Sequence, residues 1–252
     1  MAILDYDGTL TPIVTFPRAA VLAPSVRRTL ARLAANERVR LAILSGRALR
    51  DVRARVRLDD VIYGGCHGLE IEGSGLRFRH SRASAARVAA ARRALAAGAA
   101  SIPGAHVEFK GLAVSFHYRR VAPSRHAEAR ALAAHVAQRM PDLRMIPGRA
   151  VFDFVPRVRW SKGAAARWII DGVGRSLGPG APVIVYAGDD TTDETAFTAL
   201  RRRGLTVRVG RRAREAEYAV SGVRQMHALL RWIDRARGWH RGCVLTAGGH
   251  RS

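Results

Sequence analysis

Residues 3–10 read Ile3-Leu4-Asp5-Tyr6-Asp7-Gly8-Thr9-Leu10, and the reading of this stretch decides the fold. A short apolar run ends in two carboxylates one residue apart, with no basic residue beside them. Like charges this close repel unless something cationic sits between them. An apolar run bounded by a polar, glycine-containing loop is the end of a buried strand. Ala2 to Leu4 is therefore expected to be a strand, and 5–9 the loop beyond it, holding a metal, a phosphate site or both.

Working outward, Pro24 and Ser25 open a helix with Val26, Leu30 and Leu33 on one face, and Val39 to Leu44 form a second buried strand that stops at Ser45-Gly46-Arg47. A helix from Leu49 to about Val56, the strand Val61 to Tyr63 and the turn Gly64-Gly65-Cys66-His67-Gly68 follow. Strands alternating with helices predict a parallel, helix-covered sheet. The pattern then changes to a hairpin over 69–78, a helix over 82–97, alternating strands over 106–110 and 112–119, a helix over 124–139 and a hairpin over 143–154. The alternation puts Leu112, Val114, Phe116 and Tyr118 on one face and Ser115, His117 and Arg119 on the other. Parallel grammar resumes with a helix from Lys162, a strand over 182–187, a helix from Thr192 and a strand over 205–209. A last helix carries Val223, Met226, Leu229, Leu230 and Ile233 on one stripe. The expected class is α/β, a Rossmann-like parallel-sheet core over 1–79 and 157–237, an inserted α+β domain over 80–156, and a tail over 238–252.

The chain of 252 residues is 48% hydrophobic and 25% charged, an ordinary globular composition. No apolar run is long enough to span a bilayer, and the first ten residues lack a signal peptide's plan, so a cytoplasmic location is expected. Two cysteines, Cys66 and Cys243, suit neither a disulfide framework nor a paired-thiol metal site. The formal net charge of +23 invites a nucleic-acid reading. Yet the basic residues are spread along the chain with no basic run interleaved with aromatics, and such scatter forms solvated faces. All but two of the 43 Lys+Arg are arginine. Where arginine is the default cation, Lys110 and Lys162 mark places that want a compact point charge.

A second strand-to-carboxylate stretch, Val183 to Phe197, repeats the opening pattern with Asp189, Asp190, Asp193 and Glu194. Ligands of an open α/β sheet bind beyond the carboxyl ends of its strands, so Asp5, Asp7, Ser45 and these acids converge on one crevice. The candidate metal ligands are Asp5, Asp7, Asp189, Asp190 and Asp193, and hard oxygen donors with no His or Cys cluster suit Mg²⁺ far better than Zn²⁺. Ser45, Gly46 and Arg47, at a strand end where a helix begins, offer a hydroxyl and free N–H groups to a phosphate. Lys162 opens a helix at the same crevice and can stabilise charge on a transferring phosphoryl group.

DYDGTL, LSGR, WSKG and GDDTTDE, in this order, resemble the four motifs of the haloacid dehalogenase superfamily of aspartyl phosphatases. The resemblance implies Asp5 as the nucleophile, Asp7 as the general acid/base, Ser45 and Lys162 as phosphate binders, and Asp5, the Asp7 carbonyl and Asp189 as Mg²⁺ ligands. Within the superfamily, DYDGTLTPIV, the GxHGLE turn carrying His67, VExKGLxxxxHYR from Val107 and PRVxWxKG from Pro156 are similar to the trehalose-6-phosphate phosphatases. That family carries its cap where the insertion lies. The resemblance implies hydrolysis of trehalose 6-phosphate, with His67, Glu108, Lys110, His117 and Asp153 on the substrate. Glu108 and Lys110 share one strand face, which leaves open an ordinary cross-strand ion pair, as a strand-surface histidine does for His117. The cap strand of the family reads close to LELRP and here is FDFVP, so Asp153 replaces a longer acid and Val155 an arginine. A carboxylate one methylene shorter reaches a sugar through water. Another phosphorylated sugar, such as a sucrose phosphate or mannosyl-3-phosphoglycerate, is the alternative substrate. The expected partner is a small sugar phosphate, with no nucleic acid, no membrane and a monomeric state.

Overall fold

The structure, a computed structural model, describes residues 1–14, 17–81, 84–174, 183–211 and 215–236. The expected tail over 238–252 lies outside the described residues. Five strands run parallel to one another and to a sixth at the edge: β1 (Ala2–Leu4), β2 (Leu41–Leu44), β3 (Val61–Gly65), β10 (Val185–Gly188), β11 (Leu205–Val209) and β12 (Tyr218–Val220). The hairpin β4 (Glu70–Gly73) and β5 (Leu76–Arg79) extends this sheet antiparallel from β3, giving the order β12-β11-β10-β1-β2-β3-β4-β5. The hairpin thus belongs to the large sheet although its alternation already departs from the parallel pattern.

Burial on both faces explains the near-continuous apolar strands. Ala2, Leu4, Leu41, Ile43, Val61 and Tyr63 face α1 (Pro24–Ala34), α2 (Leu49–Val56) and α7 (Val223–Arg235), which contribute Leu30, Val52, Met226 and Leu230. The alternate residues Ile3, Ala42, Leu44 and Ile62 face α5 (Lys162–Gly174) and α6 (Thr191–Leu200) through Ile169, Phe197 and Leu200. Gly8, at φ +82, is required twice: for its left-handed backbone, and because a Cβ there would collide with the Asp189 carboxylate. That glycine lets the two carboxylate loops approach each other.

Residues 85–156 build a second, wholly antiparallel sheet in the order β6-β7-β9-β8: β6 (His106–Phe109), β7 (Val114–His117), β8 (Leu143–Gly148) and β9 (Val151–Pro156). Val114, Phe116, Phe152 and Phe154 pack one face against α3 (Ala85–Ala99) and α4 (His126–Arg139). Register places Glu108 opposite Ser115, and Ser115 opposite Asp153. Paired residues share a side of the sheet, so these three polar side chains form one row on the face without helices.

Candidate active site

Asp5 leaves the end of β1 almost wholly buried, and Lys162, the first residue of α5, lies beneath it. Lys162 Nζ donates to Asp5 Oδ1 at 2.8 Å and to Asp193 Oδ1 at 2.8 Å. Asp193 also accepts from the Tyr186 hydroxyl at 2.7 Å and, through Oδ2, from the backbone N–H groups of Asp189 and Asp190 at 3.1 Å each. Both of its oxygens are therefore held by protein donors, and it fixes the loop that carries Asp189. Asp190 caps α6, accepting from Thr192 N at 2.7 Å and from the Thr192 hydroxyl at 2.6 Å. Thr9 donates to Asp189 at 3.4 Å.

Oxygens of Asp5, Asp189 and Asp193 lie within 4.8 Å of one another. Burial pushes Asp5 well above the usual carboxylate range; Lys162 pulls it down, but Asp193, Asp189 and Asp190 push it back. Burial and the charges of Asp193 and Asp190 likewise push Asp189 up to about 7. Lys162 stays protonated because the attraction of Asp193 and Asp5 outweighs its own burial. One ammonium among three carboxylates, those of Asp5 and Asp193 buried and that of Asp189 half-buried, leaves negative charge in excess. An all-oxygen donor set of this kind fits a hard divalent cation, with Asp5 and Asp189 holding the less committed oxygens.

Asp7 sits to one side. Its carboxylate takes a two-pronged contact from Arg47, Nε to Oδ2 at 2.7 Å and Nη2 to Oδ1 at 2.7 Å. Arg47 is in turn fixed by Asp51 at 2.8 Å, and it lies 5.4 Å over the Tyr6 ring. Arg47, expected from the sequence on the substrate, thus lies on Asp7, and the Asp7 carboxylate is outside the three-acid cluster. Ser45, at the end of β2, is buried, and its Oγ accepts from Arg47 N at 3.1 Å.

The polar row of the second sheet closes the other side of a cavity of about 500 Å³ that Asp5, Asp7, Ser45, Gly46, Arg47, His67, Glu108, Lys110, His117, Asp153, Lys162, Asp189 and Asp190 all line. Asp193 lies behind it. Glu108 and Lys110 do not pair with each other. Glu108 accepts from or donates to His117 Nε2 at 2.9 Å according to their protonation, and Lys110 Nζ lies 3.3 Å from Asp153 Oδ1. Burial alone would raise Glu108, but the His117 hydrogen bond and the Lys110 charge bring it down to about 2, so the carboxylate is the acceptor. Asp153 also accepts from the Ser115 hydroxyl and faces His67 Nε2 at 3.3 Å. Val155 is buried with Cys66, Leu69, Leu112 and Ala113.

Sequence reasoning missed several lining or supporting groups. Arg119 reaches from the second sheet to Val14 O at 2.9 Å and to Arg149 O at 2.8 Å, and Arg208 donates to Asp190 O at 3.0 Å. Both line the cavity. In the sequence Arg119 falls on the polar face of its expected strand and closes the VExKGLxxxxHYR stretch without being given a role, and in a chain whose cations are nearly all arginine nothing singles out Arg208. Tyr186 reads as an ordinary strand aromatic, and only its place beneath Asp193 reveals its hydroxyl's work.

The chain matches the Trehalose-phosphatase family over residues 3–223. It is 38% identical over 224 residues to the trehalose-phosphate phosphatase of Mycobacterium bovis (strain BCG / Pasteur 1173P2), covering 86% of this chain and 56% of that protein. The chain thus spans about half the length of the curated relatives it matches. Its fold is that of the Candida albicans trehalose-6-phosphate phosphatase C-terminal domain, with a TM-score of 0.82 at 22% identity over 93% of this chain and 92% of that one. A haloacid dehalogenase-like hydrolase from Bacteroides thetaiotaomicron superposes with a TM-score of 0.65 at 13% identity, covering 92% and 98% of the two chains. The fold is accordingly the haloacid dehalogenase-like α/β core with an added α+β unit, and the chain belongs to the trehalose-phosphatase family.

Proposed function

We propose that this protein hydrolyses trehalose 6-phosphate to trehalose and inorganic phosphate, the core supplying the chemistry and residues 80–156 acting as a cap that reads the sugar. The observation that carries this reading is the buried Lys162 between Asp5 and Asp193, with Asp189 alongside, opening into a cavity whose far wall is the polar row of the second sheet. A carboxylate nucleophile splits hydrolysis into two easier steps. Asp5 attacks phosphorus, and the bond to the sugar 6-oxygen breaks as Asp7 gives that oxygen a proton. Asp7 then takes a proton from water, whose oxygen attacks the aspartyl phosphate and releases phosphate and free Asp5. Ser45, the Gly46 and Arg47 backbone and Lys162 hold the phosphoryl oxygens, Lys162 also answering the charge that builds in transit.

Asp5, the Asp7 carbonyl and Asp189 would hold Mg²⁺, with Asp190 and Asp193 fixing the loop around them. Mg²⁺ would supply positive charge that draws the anionic ester onto the nucleophile. Glu108, Lys110 and His117 face the sugar hydroxyls. We further assign the protein to the cytoplasm as a monomer; no helix among the described residues is long and apolar enough to cross a membrane.

A second reading, another phosphorylated sugar such as a sucrose phosphate or mannosyl-3-phosphoglycerate, is favoured by one observation: both oxygens of Asp153 already have protein partners. Phosphate release from trehalose 6-phosphate, sucrose 6-phosphate and mannosyl-3-phosphoglycerate, with Mg²⁺ and in EDTA, tests both readings. Trehalose 6-phosphate is expected to give the highest kcat/KM, and EDTA to stop turnover. A higher value for another ester would move the assignment to it, and undiminished rates in EDTA would remove the metal.

A further inference from the structure

Asp153 ends the cap's polar row beside Ser115, where a carboxylate would be expected to touch the sugar. Its surroundings are those of a joint. Oδ1 faces Lys110 Nζ at 3.3 Å and accepts from Ser115, which lies opposite it in register. Oδ2 faces His67 Nε2 at 3.3 Å. His67 belongs to the other body of the fold: it follows β3 in a left-handed turn at φ 59, and its backbone N–H donates to Ser45 O at 2.9 Å. The ring lies flat enough on Gly46 that a Cβ there would meet His67 Cε1 at 2.7 Å. His67 Nδ1 is buried with no hydrogen-bond partner among the described residues, so the ring is held through Nε2 and its packing. A second contact crosses the same seam, the Cys66 thiol donating to Lys110 O at 3.2 Å.

We propose that Asp153 is a positioning residue that clasps the cap to the phosphate cradle through His67 and fixes Lys110, and that it does not itself touch the sugar. The inference rests on the phosphatase reading for its kinetic consequences, and on geometry alone for the clasp. Its partners account for both oxygens. Burial would push the Asp153 carboxyl up, but the Lys110 charge and the hydrogen bonds from His67 and Ser115 hold it well below the usual carboxylate range. A carboxylate satisfied in this way gains little from a sugar hydroxyl. A short side chain suits the joint, since it draws Lys110 and His67 toward the sheet; a longer one would push past them into the cavity. Seating the cap strand thereby orders His67 against Gly46, which ties sugar recognition to the geometry around the phosphate.

The test uses the full chain with Mg²⁺, trehalose 6-phosphate, and the variants Asp153→Asn, His67→Asn, their double, His67→Gln and Asp153→Glu. Asparagine tolerates the left-handed backbone of position 67 but is too short to reach Asp153, whereas glutamine sets an N–H near the place of Nε2. Asp153→Asn and His67→Asn are each expected to lower kcat about tenfold, more than they raise KM, and the double variant to be no worse than the worse single one. His67→Gln is expected to recover part of the loss, and Asp153→Glu to lower kcat. Losses that multiply in the double variant, or a lower KM in Asp153→Glu, would overturn the proposal, because they are the marks of independent contacts and of a carboxylate on the sugar. Amide hydrogen exchange separates this from the activity itself. His67→Asn is expected to speed exchange in residues 151–156 of the cap as well as in 64–68. Unchanged exchange in the cap would overturn the clasp, whereas a wild type that releases no phosphate from trehalose 6-phosphate, with exchange coupled as expected, would overturn only the substrate.

Discussion

Asp5 and Asp189 at the core and the acids at the cap face one cavity, yet they are perturbed in opposite directions. The core's Asp190, which against its burial the Lys162 charge and the Thr192 hydrogen bonds bring down to about 2, sides with the cap. Asp189 is pushed up to about 7 by burial and by Asp193 and Asp190, and Asp5 is pushed up as well. Glu108 is brought down to about 2 against its own burial by His117 and Lys110, and Asp153 is also held low. The core crowds carboxylates around one ammonium and so is built to take a further cation and to react. The cap gives each carboxylate a protein partner of its own, His117 to Glu108 and Lys110 to Asp153, so it is complete as folded and suited to recognition. Perturbed groups in a cleft mark function, and the sign of the perturbation separates the crowded acids Asp5 and Asp189 from those the protein already satisfies, Asp190 included.

The largest expected effect breaks the core half of this comparison. Asp5→Asn should lower phosphate release by at least about 10³-fold with every ester while the fold persists, because the amide is isosteric but not a nucleophile. Circular dichroism beside a phosphate-release assay checks it. Lys162→Ala comes next. It should lower kcat by roughly 10²–10³-fold on trehalose 6-phosphate and on p-nitrophenyl phosphate alike, since the charge it stabilises is common to both. It should also cost about 3–5 kcal/mol of stability in the metal-free protein, because Asp5 and Asp193 would lose their buried cation.

The smallest effect sharpens the comparison by its sign. In the metal-free protein the folded pKa of Asp189, about 7, lies above its ordinary value of 3.8. The stability tied to it is fully present below about pH 3.8 and is lost as pH rises through about 7. Glu108 runs the other way, from an ordinary 4.5 to about 2; its contribution is present above about pH 4.5 and is lost as pH falls toward 2. At pH 7.5 in EDTA, Asp189→Asn should raise the unfolding free energy and Glu108→Gln should lower it, each by about 1–2 kcal/mol, seen as Tm shifts of opposite sign. Excess Mg²⁺ should reverse the sign for Asp189→Asn and leave Glu108→Gln unchanged.

Much of this was legible in the sequence. The strand-to-carboxylate loops at Asp5 and Asp189 predicted a shared crevice because parallel strands end on one side. The alternation divides the cap sheet's faces from Val114 onward, Val114, Phe116 and Tyr118 packing on the helix side, whereas Leu112 precedes β7 and packs with Cys66, Leu69 and Val155. The edge strand β12 was not legible: two exposed residues and one half-buried, Tyr218 to Val220, carry no period. Nor were the charge partners. Glu108 and Lys110 look like a pair because they are two apart, whereas register with strands joined only by folding gives one to His117 and the other to Asp153. Arg47 follows a serine and a glycine that look like a phosphate cradle, and only the approach of two strand ends turns its guanidinium onto Asp7. Local pattern fixes which residues reach the crevice, and tertiary register decides whom they meet there.

The division of labour between core and cap is tested most directly by the kcat/KM of Lys110→Ala on two substrates. The account predicts a fall of about 10- to 100-fold on trehalose 6-phosphate, with p-nitrophenyl phosphate hydrolysed at close to the wild-type rate because so small an ester does not reach the cap strand. An equal fall on both substrates would contradict it, since Lys110 would then serve the phosphoryl chemistry and the cap would not read the sugar through this strand.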